Sequence, residues 1–204
     1  MRMSVRPTWI SASIVLVALG LRLLHTWQMS ANPLFADPAV DAATYVERAT
    51  RLVAGQWLGW GQGPFWQPPL YPYVLALVKL AFADSFFYAV RFLQAVVGAF
   101  SCLLVYRIGR RLFAPGIGAI AAFAAAAYGP LIYFDARLLP TSLATFLGLL
   151  GLLLLLYAVE HPLKWLFMAA GMVWGTAALA VATMLALAPL AAGWLVGLDA
   201  LAFC

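Results

Sequence analysis

Charge is scarce in this chain, and acidic charge most of all. Only 9% of its 204 residues are charged, and 7 Asp and Glu face 12 Lys and Arg. A soluble domain carries about 25% charged residues. A chain that is 66% hydrophobic has too little polar surface to cover a water-facing globule. Cysteine and histidine number 2 each. Cys102 falls inside an apolar run and Cys204 is the last residue, so neither a disulfide framework nor a paired-cysteine metal site is supported. There is no His-Glu-x-x-His pair, no glycine-rich nucleotide loop after a strand and no nucleophile elbow, which argues against soluble nucleotide chemistry. The net charge of +5 forms no single patch. Its basic residues flank apolar runs, which argues against a nucleic-acid partner and marks membrane topology.

What the chain does have is long apolar segments. The first, Trp9 to Trp27, follows Arg2 and Arg6 and lacks a clean A-x-A cleavage site, so it reads as a retained signal-anchor whose following loop is non-cytoplasmic. Leu70 to Ala83 is too short, at about 1.5 Å per residue, to cross roughly 30 Å of hydrocarbon, and it contains Pro72 and Lys79. It reads as an interfacial or re-entrant helix. The next span, Ser85 to Ile108, then delivers Arg107, Arg110 and Arg111 to the side of Arg2 and Arg6, as the positive-inside rule requires. Gly116–Phe134 runs outward, Asp135–Pro140 turns, Thr141–Val159 returns, and Glu160–Lys164 makes the opposite turn. From Trp165 onward there is length for two spans with a break between Ala180 and Pro189. Gly148-Leu-Leu-Gly151 and the alanine-rich third span offer small residues for helix contact. The expected fold is an all-α integral membrane protein with about five to six transmembrane helices and two interfacial helices in the first external loop. Residues 1–204 form one membrane domain. An apolar run reaching Cys204 with no polar tail suggests the N-terminal part of a longer transmembrane module.

The second interfacial helix precedes Leu70. Ala42, Tyr45, Val46, Ala49, Leu52 and Val53 recur at helical spacing, opposite Asp41, Thr44, Arg48 and Arg51. Asp37 before Pro38 fits an N-cap, leaving Asp41 one turn inside. The tryptophan-rich run from Trp57 to Pro69 fits a membrane interface. On this topology Asp37, Asp41, Glu47, Asp84 and Asp135 share the external face, and only Glu160 and Asp199 lie elsewhere. Asp41 and Asp135, far apart in sequence, emerge together. Arg48, Arg51, Arg91 and Arg137 share that face and suit bidentate phosphate binding. Plainer roles stand beside these. Asp41 suits the positive end of its helix, Asp135 suits a turn pairing with Arg137, and Glu47 suits an i,i+4 pair with Arg51. Arg22 and His25 suit snorkelling to the interface. Tyr45 and Tyr71 suit interface anchors or pocket walls, and His161 suits a loop.

Five short segments occur in order: Asp41-Ala-Ala-Thr-Tyr-Val-Glu-Arg-Ala, Gly55-Gln-Trp, Gln67-Pro-Pro-Leu-Tyr-Pro-Tyr, Val90-Arg-Phe-Leu-Gln and Arg110-Arg-Leu-Phe. Together they resemble the N-terminal half of the polytopic C-superfamily glycosyltransferases. The closest subgroup is the bacterial relatives of the protein O-mannosyltransferases and the lipid A aminoarabinose transferase. The resemblance implies inverting transfer of a sugar from a polyprenyl-phosphate donor to an acceptor hydroxyl of protein, glycan or lipid, on the non-cytoplasmic face of a bacterial inner membrane. It makes Asp41 the general base. It sets Asp135 and Arg137 near the donor phosphate, with Arg48, Arg51, Arg91, Tyr45 and Tyr71 as further candidate substrate contacts. A divalent cation assists some members of the wider superfamily, and nothing in this sequence specifies one. Where the family's second motif often has lysine or glutamate shortly after its aspartate, this chain has Leu138-Leu139-Pro140. The competing expectation is a non-catalytic transporter, lipid-handling or assembly protein, or an inactive fragment.

Overall fold

A computed structural model describes residues 8–57 and 67–181. Among these there are helices, turns and loops and no strand. The helices are α1 (Thr8–Met29), α2 (Asp41–Val53), α3 (Leu70–Ala81), α4 (Phe86–Leu112), α5 (Pro115–Ala127), α6 (Gly129–Asp135), α7 (Thr141–Glu160) and α8 (Lys164–Val181), with a short 3-10 turn at Pro33–Phe35. α1, α4, α7 and α8 are each long and apolar enough to cross a membrane. α5 and α6 meet the same test only as a pair, bent by 56°: a broken fifth span or a re-entrant loop. The chain is an all-α, multi-pass integral membrane protein. Arg2, Arg6, most of the tryptophan run, the break expected after Ala180, the span after it, Asp199 and Cys204 lie outside the described residues.

α3 is shorter than a span and packs on α2 and α4, so the first loop carries two non-spanning helices. The sequence pattern shows in the packing of α2, whose Tyr45, Ala49 and Leu52 are buried against Tyr71, Leu75 and Ala76 of α3, Phe86 and Val90 of α4, and Leu138. The Tyr45 and Tyr71 rings meet edge to face at 5.2 Å and 88°, a favoured aromatic geometry. The start of α2 differs from expectation. Asp37 does not cap it: Val40 directly precedes the helix at φ 56°, and this reversal of the backbone prevents a helix from starting at Pro38. Asp41 is the first helical residue.

α5 approaches α4 closely because the contact residues are small. A Cβ added to Gly118 would lie 2.5 Å from the Arg110 backbone nitrogen, so the two backbones touch. Ala122 and Ala126 are fully buried against Ile14, Ala18, Ala99, Cys102 and Tyr106. On the other side, Gly151 of α7 receives the Trp174 indole of α8, whose Nε1 donates to the Gly148 carbonyl at 3.3 Å. The helix breaks at Tyr128, whose backbone is extended, and α6 carries Pro130 in its first turn, where proline's missing N–H cannot continue the ladder from α5.

That break turns α6 back into the bundle and sets the fold's central interaction. Arg22 Nε of α1 donates to Asp135 Oδ2, the last residue of α6, at 2.6 Å. Arg22 is 2% exposed and Asp135 6%. Arg22 Nη1 also donates to the Ala18 carbonyl at 3.1 Å. Arg22 therefore does not snorkel, because a buried carboxylate meets it first. Gly98 of α4 makes the space: a Cβ there would run into the Asp135 carboxylate and lie 2.5 Å from Arg22 Nε. At the opposite end of the bundle Arg111 grips Glu160 with two hydrogen bonds of 2.5 and 2.6 Å and stacks on Tyr157 at 3.6 Å.

Two predictions follow from this packing. Arg22→Met strands a buried carboxylate and lowers stability by about 3–5 kcal/mol, whereas Arg22→Met with Asp135→Leu recovers most of that loss; thermal unfolding in detergent reads both. The second concerns Tyr71, whose phenol burial pushes well above its ordinary value of 10.0. Below pH 10 the phenol is protonated folded or unfolded and contributes no pH dependence. Above it the unfolded chain releases a proton that the folded chain retains, so stability falls as pH rises, by up to about 1.4 kcal/mol per unit. Melting temperatures between pH 9 and 11.5 should fall less steeply in Tyr71→Phe than in the wild type.

Candidate functional site

The end of the bundle that carries α2 and α3 opens into a cavity of 320 Å³ whose lining includes Pro38, Val40, Asp41, Arg91, Tyr133 and Arg137. The chain reaches it through the loop after α1. Asn32 caps the 3-10 turn, its side chain accepting from the Leu34 N–H at 2.9 Å. Val40 then holds φ 56°, which a β-branched residue adopts only under strain. The strained residue is 83% exposed and sets Asp41 at the start of α2. There the free N–H groups and the positive end of the helix favour a carboxylate. Asp41 is exposed and, among the described lining residues, is the one carboxylate.

Arg137 comes from the turn between α6 and α7. Gln94 of α4 fixes this turn, its Nε2 donating to the carbonyls of Arg137 at 2.8 Å and Leu139 at 3.1 Å. Its Oε1 accepts from the Tyr71 hydroxyl at 3.4 Å. The Arg137 guanidinium lies 4.7 Å from the Tyr133 ring centroid, and its Nε is buried with no hydrogen-bond partner. Arg137 lines the cavity, and a guanidinium on a cavity wall suits an anion.

Asp135 does not pair with Arg137. It closes α6 facing the interior, where it borders a separate, largely apolar cavity of 220 Å³ with Arg22, Ser101, Cys102 and Ser142. The two residues that the sequence sets side by side thus serve opposite sides of one turn. Arg91 is mostly engaged as a clamp: Nε, Nη1 and Nη2 donate to the carbonyls of Ala136, Phe87 and Phe35 at 3.0, 2.9 and 2.9 Å, and its guanidinium lies over the Phe35 ring at 3.9 Å. It joins the first loop to the Arg137 turn. Arg51 pairs with Glu47 at 2.6 Å on the exposed side of α2, a contact worth at most about 1 kcal/mol. Arg48 is half-buried on the same helix, and burial pulls its guanidinium below the ordinary arginine value. Neither Arg48 nor Arg51 lines the cavity.

Tyr71 is sealed in the core, whereas Tyr45 reaches a second, smaller cavity of 210 Å³ with Asp41, Gln67, Pro68, Pro140 and Val181. Burial first, and the Asp41 charge second, push the Tyr45 phenol above its ordinary value, so this hydroxyl stays protonated near Asp41. Asp41 borders both cavities. Among the described residues no group of three or more His, Cys, Asp or Glu side chains converges. The one carboxylate shares its cavity with guanidinium groups, a donor set that does not make a divalent-cation site. Sequence reasoning missed three residues of this region: Gln94, Gln67 and the inward role of Arg22. The available signal was a polar side chain inside or beside an otherwise apolar helix, which a membrane tolerates only where it finds a partner.

Neither the curated proteins nor the solved structures contain a match to this chain. The model of one protein family, the dolichyl-phosphate-mannose-protein mannosyltransferases, matches residues 66–202. The matched range takes in Arg91, Gln94, Asp135 and Arg137 and begins after Asp41. Its chemistry is glycosyl transfer of the mannosyltransferase type, in keeping with a membrane-embedded bundle. With well over half of its length matched, this chain belongs to the dolichyl-phosphate-mannose-protein mannosyltransferase family.

Proposed function

We propose that the chain transfers a sugar from a polyprenyl-phosphate donor to an acceptor hydroxyl, with inversion, at the non-cytoplasmic face of a bacterial inner membrane. The observation that carries this reading is the shared cavity of Asp41 and Arg137 at the loop end of the bundle. The Arg137 guanidinium, from the cavity wall, hydrogen-bonds the donor phosphate. Asp41 takes the proton of the acceptor hydroxyl as its oxygen attacks the anomeric carbon. The bond from that carbon to the phosphate oxygen breaks, and its electron pair leaves with the phosphate. One displacement inverts the anomeric configuration. A phosphate leaves without prior protonation, so a base and a cation suffice and no general acid is required. The orientation rests on Arg107, Arg110 and Arg111, which gather at the end away from this cavity and favour the cytoplasm.

The remaining candidates take supporting parts. Arg91 and Gln94 hold the Arg137 turn, and Asp135 with Arg22 anchors α6 beneath it. Tyr45 and Tyr71 support the helix that carries Asp41, and Arg48 and Arg51 face the lipid headgroup region, where the donor arrives. The rival reading, a lipid-handling protein without chemistry, draws on the charges inside the bundle. Those charges satisfy each other beside a cavity that Asp41 does not reach, which favours a structural role for them.

Two variants test the proposal in the complete protein, assayed with defined polyprenyl-phosphate sugars. Asp41→Asn is expected to cut kcat by roughly 10²–10⁴ with little change in donor KM, and near-normal transfer would remove Asp41 as the base. Arg137→Met is expected to raise donor KM about tenfold or more, and an unchanged donor KM would remove the phosphate contact.

A further inference from the structure

Asp41 stands between two cavities of different chemistry. One is lined by the Arg137 guanidinium and suits an anion. The other, of 210 Å³, contains no described cation, and the Asp41 carboxylate repels anions from it. Its distinctive member is Gln67, which is 3% exposed and whose Oε1 is buried without a hydrogen-bond partner. Buried amide oxygens are almost always satisfied. The two residues that follow are Pro68 and Pro69, which have no N–H to offer. An amide oxygen only accepts, so the group that completes it is a donor and cannot be an ionised phosphate. The volume is several times a water's share of roughly 30 Å³, enough for part of a sugar ring or a small hydroxylated side chain.

We infer that the cavity between Asp41 and Gln67 is a hydroxyl-recognition subsite, in which the Gln67 amide, a wall of the cavity with its oxygen unspent, turns that oxygen to accept from a hydroxyl of a sugar or acceptor beside the Asp41 carboxylate. This rests on the transfer reading above and adds a division of labour: phosphate on the Arg137 side of Asp41, neutral hydroxyl on the Gln67 side. Tyr45, kept protonated, supplies a second polar wall. Gln67 is a binding residue here and takes no part in proton transfer.

The test compares wild-type protein with Gln67→Leu in lipid nanodiscs. The variant removes an unsatisfied oxygen, so its melting temperature is expected to equal or exceed that of the wild type; a clear fall would show that the amide already has a protein partner and would overturn the inference. Affinity for methyl α-mannoside, followed by saturation-transfer NMR, is expected to weaken about tenfold in the variant, and equal affinity would also overturn it. In transfer assays, a rise in acceptor KM alone assigns the hydroxyl to the acceptor, and a rise in donor KM assigns it to the transferred sugar. Glycoside binding that depends on Gln67 in a protein that transfers no sugar would retain the subsite and reject the transfer reading.

Discussion

A buried ion pair determines where everything else at the loop end sits. Arg22 and Asp135 meet at 2.6 Å with almost no exposure, in a setting where either charge alone would be costly. The pair exists because the helix breaks at Tyr128, between α5 and α6, and turns Asp135 inward, and because α4 presents Gly98 in place of a side chain. It fixes the C-terminal end of α6 against α1. The backbone leaving α6 must then rise toward the loop end, and the next residues it can present there are Ala136 and Arg137.

The site is assembled on that fixed turn from below and from the side. Arg91 takes the Ala136 and Phe35 carbonyls together, so one guanidinium sets the distance between the first loop and the Arg137 turn. Gln94, one helical turn further on, takes the carbonyls of Arg137 and Leu139. Both are polar residues of a spanning helix, and both spend donors on backbone, Arg91 on α4, the first loop and Ala136, and Gln94 on the turn. The aromatic contact of Tyr45 with Tyr71 ties α2 to α3 and hence to α4. The result is a carboxylate at a helix start and a cation with an unspent donor, facing one cavity from different elements. A preorganised arrangement of this kind lowers a transfer barrier because its charges need not reorganise during the reaction.

Much of the architecture is legible in the sequence because bilayer thickness is a strict ruler. The shortness of Leu70–Ala83 and the arginines after Ile108 identify α3 as a non-spanning helix and divide the ends of the bundle, and the helical spacing of Tyr45, Ala49 and Leu52 predicts the buried face of α2. The kink at Tyr128 and the inward turn of Asp135 are less legible. Periodicity registers an apolar run of alanines and aromatics but not where its backbone gives way. The pairing of Asp135 with Arg22 instead of Arg137 depends on that kink and on Gly98, two features far apart in sequence. Asp37 misleads for a local reason: Asp-Pro is a good helix start, yet Val40 at φ 56° moves the start to Asp41. Gln67 and Gln94 carry no motif that distinguishes an amide spent on backbone from one whose oxygen has no partner, and the structure separates them.

The central claim is that the phosphate-linked sugar binds in the loop-end cavity between α2 and the α6–α7 turn. It is tested most directly by photo-crosslinking with a polyprenyl-phosphate sugar carrying a diazirine on the lipid next to the phosphate, in nanodiscs holding the complete protein, with adducts mapped by mass spectrometry. Labelling is predicted at Leu34, Val40, Tyr133 and Leu138, which line that cavity. Adducts confined to the opposite end, around Arg107, Tyr157 and His161, would contradict it.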